Sequence, residues 1–427
     1  MDQGEDHRNG NGNGNGNGHL HHHSNSITAS QIQQQFAHHL PGIARINNGS
    51  FGCCPHSVLA AHQEWHLRFL RNPERFYSDV LPDALLHSRS LLKSLINADH
   101  LHQVSLIDNA TTAAAIVLRH IASSLSHNDT VFMFHCAFQA VKKSIQAYVA
   151  TAGASVVEIP LPFPVRSPQD IVARFRKGLQ TGKANGSKIR LAIIDHITSM
   201  PSVLIPVREL VHICREEGVD QVFVDAAHAL GTVPVDVKEI GADFYVTNLH
   251  KWFFCPPSVA VFYSRNDLPI ETSWIGTRDY SSQLLVPSVM EFVSRFEGGI
   301  EGIMKRNHES VVQMGQMLAE SWGTILGSPP HMCASMIMVG LPSQLGISSE
   351  DDASRLRSHL RTCFGVEAPI HYQAPNDAAT EARDNKDGLI SGYARISHQL
   401  YNTVEDYHKF RDAINQLVQD GKVCKML

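Results

Sequence analysis

The 427-residue chain has little that would cross-link a scaffold, span a bilayer or hold a polyanion. Eight cysteines in so long a chain do not make a disulfide framework, and only Cys53 and Cys54 are adjacent. A reducing compartment is therefore expected. No uninterrupted apolar run approaches the roughly 18 residues of a membrane span, so no membrane partner is expected. Lys and Arg number 36 against 41 Asp and Glu, a net charge of −5. Without a basic field, nucleic acid is not expected as the main partner. The first 30 residues lack an apolar h-region, and Asp2, Glu5 and Asp6 are out of place in an acid-poor transit peptide. The cytoplasm is the expected location, with the nucleus as the alternative.

What is present begins with a biased tail. Asn and Gly alternate from Asn9 to Gly18, and His19, His21, His22 and His23 follow. Such a segment cannot bury enough apolar area to offset its ordering entropy, so residues 1–30 are read as a disordered, solvated tail with no metal site. Residues 31–60 read as an N-terminal arm, 61–300 as a large domain and 301–427 as a smaller C-terminal domain. The 43% of hydrophobic residues are enough for a sizeable core. From about Asn47 onward the pattern is α/β. Val156–Ile159, Ile189–Ile194, Gln221–Val224, Phe244–Val246 and Val259–Tyr263 are short β-branched runs of the kind buried on both faces of a parallel sheet. Helices are expected over Phe138–Ala152, over Pro206–Glu217 with its stop at Gly218, and over Ile303–Ser321.

Two strand ends carry the chemistry. The apolar run Val222–Val224 ends in Asp225, with His228 three residues on; the run Phe244–Val246 leads to Asn248, His250, Lys251 and Trp252. Ligands bind at strand C-termini in open α/β sheets. A carboxylate, an imidazole and a lysine converging there suit pyridoxal 5'-phosphate. Lys251 would form the Schiff base, and Asp225 would keep the pyridine nitrogen protonated, because a buried opposite charge favours the cationic form.

With these motifs the chain resembles the fold-type I, class V aminotransferase-like enzymes, over roughly Asn47 to Leu427, and within them the plant L-cysteine desulfhydrase branch. The resemblance implies a large domain with a mostly parallel seven-stranded sheet flanked by helices, plus a smaller C-terminal α/β domain. It makes Lys251 the cofactor lysine, Asp225 the ring-nitrogen partner and His228 the partner of the ring 3'-oxygen. His250 and Asn248 match polar residues near the phosphate. Asp108–Thr112 precedes an Ala-rich helix, and Ala110, Thr111 and Thr112 match its phosphate-holding start, where free N–H groups and the dipole favour an anion. Phe138 falls where relatives stack an aromatic or a histidine on the pyridine face; phenylalanine keeps the stacking without acid–base capacity. Ser199, beside Thr198, falls where relatives present a polar side chain to cofactor or substrate. Thr277, in Gly276–Asp279, matches a segment that crosses a homodimer to the partner's phosphate. Arg395, in Tyr393–Ser397, matches the arginine that grips the substrate carboxylate, and Asn48 falls in the substrate-side loop.

The reaction is read from a missing nucleophile. Cysteine desulfurases take sulfur on a mobile cysteine upstream of that arginine, and His371–Ile390 contains none. The nearest upstream, Cys363, sits at a helix end and is read as packed. β-Elimination is then expected: L-cysteine to hydrogen sulfide, pyruvate and ammonia, with Lys251 as general base. The alternatives are an epimerase or transaminase of the isopenicillin N epimerase-like group, or a non-catalytic interaction protein.

Overall fold

The computed structural model describes residues 27–183, 186–265, 276–374 and 382–427. Ten strands are β1 (Val104–Ile107), β2 (Asp129–Phe134), β3 (Ser155–Ile159), β4 (Lys188–Asp195), β5 (Gln221–Asp225), β6 (Phe244–Asn248), β7 (Ala260–Ser264), β8 (Met336–Gly340), β9 (Ile370–Tyr372) and β10 (Gly392–Ser397). The first seven form one sheet in the order β1-β7-β6-β5-β4-β2-β3, and the last three a second sheet in the order β8-β10-β9. The β2–β3, β2–β4, β4–β5 and β5–β6 pairs are parallel. β7 lies antiparallel to both β1 and β6, so the run Val259–Tyr263, grouped above with the parallel strands, runs the other way.

Alternation within the strands explains why the sheet is covered on both sides. Phe132 and Phe134 face one apolar layer together with Val222 and Val224. Val131, Met133 and Phe223 face the other, against the helix Ala110–Ala122. A second core gathers Ile337 and Val339 of β8, Ala394 and Ile396 of β10, and the helices Glu350–Phe364 and Val404–Gln419. Ala44 and Ile46, from the arm, are buried in this second core.

Two boundaries differ from the sequence reading. Most of the tail lies outside the described residues, but a helix already starts at Ala29. Thr28 accepts from the Gln31 N–H while the Gln31 side chain accepts from the Thr28 N–H. This reciprocal cap, with Ile32 buried behind it, orders residues 27–30, which were assigned to the disordered tail. The helix expected over Phe138–Ala152 is α-helical over Gln139–Ile145 and continues as a π-helical turn over Gln146–Ala150. Among the described residues no helix is long and apolar enough to cross a membrane, and no His/Cys/Asp/Glu group could hold a metal ion.

Candidate active site

Because β7 runs against the other described strands of the large sheet, the C-terminal ends of β1, β2, β4, β5 and β6 open on one edge. Ala110 follows β1, Phe138 follows β2, and Asp195 and Ser199 lie at or just beyond β4. Asp225 ends β5 with His228 beyond it, and Asn248 ends β6 with His250 and Lys251 beyond it. One short helical turn, Leu249–Trp252, aims Lys251 back toward β5.

Lys251 Nζ lies 3.1 Å from His228 Nε2 and 5.9 Å from the centre of the Phe138 ring. Burial lowers its amine to about 8; Asp225 and Asp195 oppose the shift and Arg395 adds to it. Asp225 and Asp195 are register partners on adjacent strands. Burial pushes both carboxyls up, Asp195 further because Asp225 stands beside it, while Lys251 works against the shift on each. Asp225 Oδ1 accepts from the Ala227 N–H at 3.1 Å, whereas Asp195 Oδ2 has no partner among the described residues. His228 is pushed well below the ordinary histidine range by burial and then by Lys251, Arg395 and His250. His250 is lowered to about 4, mainly by burial, and its Nδ1 is buried without a partner among the described residues.

The start of the helix Ala110–Ala122 is arranged around two asparagines. Asn248 Oδ1 accepts the Ala110 N–H at 2.9 Å, and Asn109 Oδ1 accepts that of Thr112 at 2.9 Å. The N–H and hydroxyl of Thr111 make no hydrogen bond among the described residues. Thr112 Oγ1 leans on the Asn109 side chain at 3.3 Å.

Arg395 reaches in from β10. Its Nη1 donates to the Ser199 carbonyl at 2.8 Å and to Ser199 Oγ at 3.3 Å. Its Nη2 donates to Asn47 Oδ1 at 2.7 Å and Ser50 Oγ at 2.6 Å. The Nε–H is buried without an acceptor among the described residues, and burial lowers the guanidinium to about 10. Asn48, expected to face substrate, instead donates through Nδ2 to the Lys251 carbonyl at 2.8 Å and accepts from Tyr401 Oη at 3.3 Å. Gly52 closes the same turn: its φ is +71°, and an added Cβ would overlap the His250 carbonyl. Thr277 is exposed, and its neighbour Arg278 pairs with Asp108, two residues before Ala110.

Sequence reasoning passed over Asp195, Asn47 and Ser50. Asp195 was legible, since β4 ends in an aspartate as β5 does. Asn47 and Ser50 carried no signal beyond their neighbourhood to Asn48. A cleft of about 1340 Å³ is lined by His196, Arg215 and Met332 but by none of Lys251, Asp225 or Arg395, so it is separate from this site.

Pyridoxal phosphate fits the donor set. Buried carboxylates wait for a cationic ring nitrogen, an aromatic face lies over the lysine, and an unspent helix-start N–H with a hydroxyl awaits an anion. The chain belongs to the class V aminotransferase family, whose model matches residues 53–305. It is 60% identical to an L-cysteine desulfhydrase of Arabidopsis thaliana, over 94% of this chain and 93% of that protein. A probable chloroplastic L-cysteine desulfhydrase of the same plant is 58% identical, over 94% and 88% of the two chains. The cysteine desulfurase of Thermococcus onnurineus NA1 shares the fold at a TM-score of 0.65 and 18% identity, over 88% of this chain and 94% of that one.

Proposed function

We propose that this chain is a pyridoxal phosphate-dependent carbon–sulfur lyase, an L-cysteine desulfhydrase that converts L-cysteine and water to hydrogen sulfide, pyruvate and ammonia. The observation that carries this reading is a buried lysine amine, held near neutrality, between paired carboxylates and an arginine fork. The relatives named above supply the substrate.

Lys251 would be the residue that anchors the cofactor, and its amine would be free to act once substrate is bound. Asp225 would hold the ring nitrogen, Phe138 would cover the ring, and His228 would donate to the 3'-oxygen. Thr111, Thr112, the Ala110 turn, Asn248 and His250 would hold the phosphate. The bound cofactor supplies a sink for the electron pair left at the substrate Cα. Arg395 and Ser199 hold the carboxylate, which presents the Cα–H to the freed Lys251 amine. At about 8 that amine is neutral in a substantial fraction at physiological pH, so it accepts the proton. The Cβ–S bond then breaks with its electron pair on sulfur, which leaves as hydrosulfide. Phe138 offers no second base, which supports elimination over epimerisation. The cysteine-free stretch His371–Ile390 supports it over persulfide transfer; residues 375–381 of that stretch lie outside the described residues.

The chain is further proposed to work as a homodimer, with Thr277 contributing to the partner's phosphate site, and light scattering on the purified protein tests this. Its location is proposed to be the cytoplasm; a fluorescent fusion distinguishes this from the plastid. The activity test is to incubate the purified protein with L-cysteine. Equal amounts of sulfide and pyruvate are expected, and none from Lys251→Ala. Alanine in place of pyruvate would overturn elimination.

A further inference from the structure

Lys251 is followed directly by a tryptophan whose ring is fully buried, and whose one polar atom is spent inside the site. Trp252 is 0% exposed and His228 2%. Trp252 Nε1 donates to His228 Nδ1 at 3.2 Å, while His228 Nε2 faces Lys251 Nζ at 3.1 Å. An indole nitrogen is a donor only. His228 Nδ1 must therefore present its lone pair, and a neutral ring must carry its proton on Nε2.

We propose that Trp252 is a positioning residue: it fixes the proton of His228 on Nε2, so that the imidazole meets Lys251 and the cofactor only as a hydrogen-bond donor. The inference rests on the functional reading above and deepens it. A neutral amine accepts an N–H; an ammonium cannot. The fixed tautomer therefore favours the neutral Lys251 amine, the form that bonds a carbonyl carbon and later takes a proton. It also removes His228 from the list of bases. The cation of His228 is excluded by the same contact, since a proton on Nδ1 would set two N–H groups head to head. Lys251 and Arg395 turn positive charge toward the ring, while Asp225 and Asp195 face Lys251 and hold its proton more tightly.

The indole cannot drift from this contact. Gly231 has a φ of +91°, and a Cβ there would meet the Trp252 carbonyl. A Cβ on Gly49 would lie 3.3 Å from Trp252 Cζ2. Backbone and ring are thus gripped from two elements. A tryptophan kept only for packing could spend its N–H on any carbonyl; here the acceptor is an imidazole that touches the catalytic lysine.

The test is nitrogen NMR of the cofactor-free protein labelled on histidine, with the His228 signal identified by its loss in His228→Gln. The expected spectrum has His228 Nδ1 unprotonated and Nε2 protonated throughout about pH 6–9. In Trp252→Phe, the ring is free to accept from the Lys251 ammonium, so the tautomer becomes pH-dependent. The midpoint for Lys251 amine modification then rises by about one pH unit, a tenfold change in acid constant. The cofactor absorption midpoint of the loaded protein rises with it. A wild-type His228 protonated on Nδ1 would overturn the proposal whether or not the variant folds. So would a folded Trp252→Phe that keeps both the tautomer and the lysine midpoint. None of these readings needs turnover. A protein that makes no sulfide but keeps the tautomer sinks the functional reading alone.

Discussion

Replacing Arg395 by lysine separates charge from shape at the substrate end of the site. The guanidinium is held on both sides: Ser199 holds Nη1, and Asn47 and Ser50 hold Nη2. An ammonium keeps the positive charge but is a point donor with three N–H groups, so it cannot keep these anchors and also offer a carboxylate the N–H that Arg395 leaves unspent at Nε. The loss is one charge-assisted hydrogen bond in a buried setting, about 1.5–3 kcal/mol, or roughly 10- to 100-fold in affinity. Binding of unreactive amines, read by the change in cofactor absorption, isolates that term. L-Alanine, which carries the carboxylate, should lose roughly 10- to 100-fold in Arg395→Lys, while ethylamine, which lacks it, should change less than about twofold. An equal loss for both amines would refute the carboxylate assignment. It would mean that Arg395 merely ties β10 to the Asn47 turn.

Acid should unfold this protein early. His196 and His398 are buried and held at about 4 against 6.5, so between those values the unfolded chain binds protons that the native chain refuses. Stability is therefore full above about pH 6.5 and lost as pH falls toward 4, each ring contributing about 2 kcal/mol of that loss by pH 5. His398→Gln keeps an amide for Tyr407 Oη, now 2.9 Å from His398 Nδ1. Urea unfolding at pH 7 and pH 5 should show its pH dependence reduced by about 2 kcal/mol, and an unchanged dependence would count against the buried-histidine account. Cys363→Ser should leave sulfide release from L-cysteine within about twofold of wild type, since surface substitutions away from a site cost little; a tenfold loss would revive a persulfide route. Gly52→Ala should lower the melting temperature and cofactor uptake together, with strain of about 1–3 kcal/mol before any overlap with the His250 carbonyl is counted. Normal cofactor uptake in that variant would show that the turn yields.

The strand ends were legible because apolar runs that stop at a polar residue mark both a buried strand and its rim. Asp225, His228 and Lys251 follow from that pattern, and Asp195 would have followed had β4 been read one residue further. Direction is another matter. Ala260–Ser264 has the composition of a parallel strand, but apolar content does not encode polarity of the chain, and β7 is antiparallel. The fork around Arg395 was hidden for a different reason: Asn47 and Ser50 stand 348 and 345 residues away from it, and no local pattern spans that distance. Cys363 was read as packed from its helix end. It is exposed, on the last turn of Glu350–Phe364 with its sulfur 3.6 Å from His359 Nδ1. Its neighbours Leu356 and Leu360, not the cysteine, face the core.

The arm that is buried beside β10 has a consequence for the order in which the molecule can be made. Ser397 donates its N–H to the Ile46 carbonyl, the Asn48 N–H bonds Ser397 Oγ, and Asn48 in turn holds the Lys251 carbonyl. Three segments far apart in the polypeptide are stitched at one point. On the ribosome, residues 46–48 must wait, unpaired, through the 349 residues that separate Asn48 from its partner Ser397 on β10. The cofactor pocket is therefore finished only once β10 has emerged, and nascent chains short of that point would be exposed to proteases and chaperones with Ala44 and Ile46 uncovered.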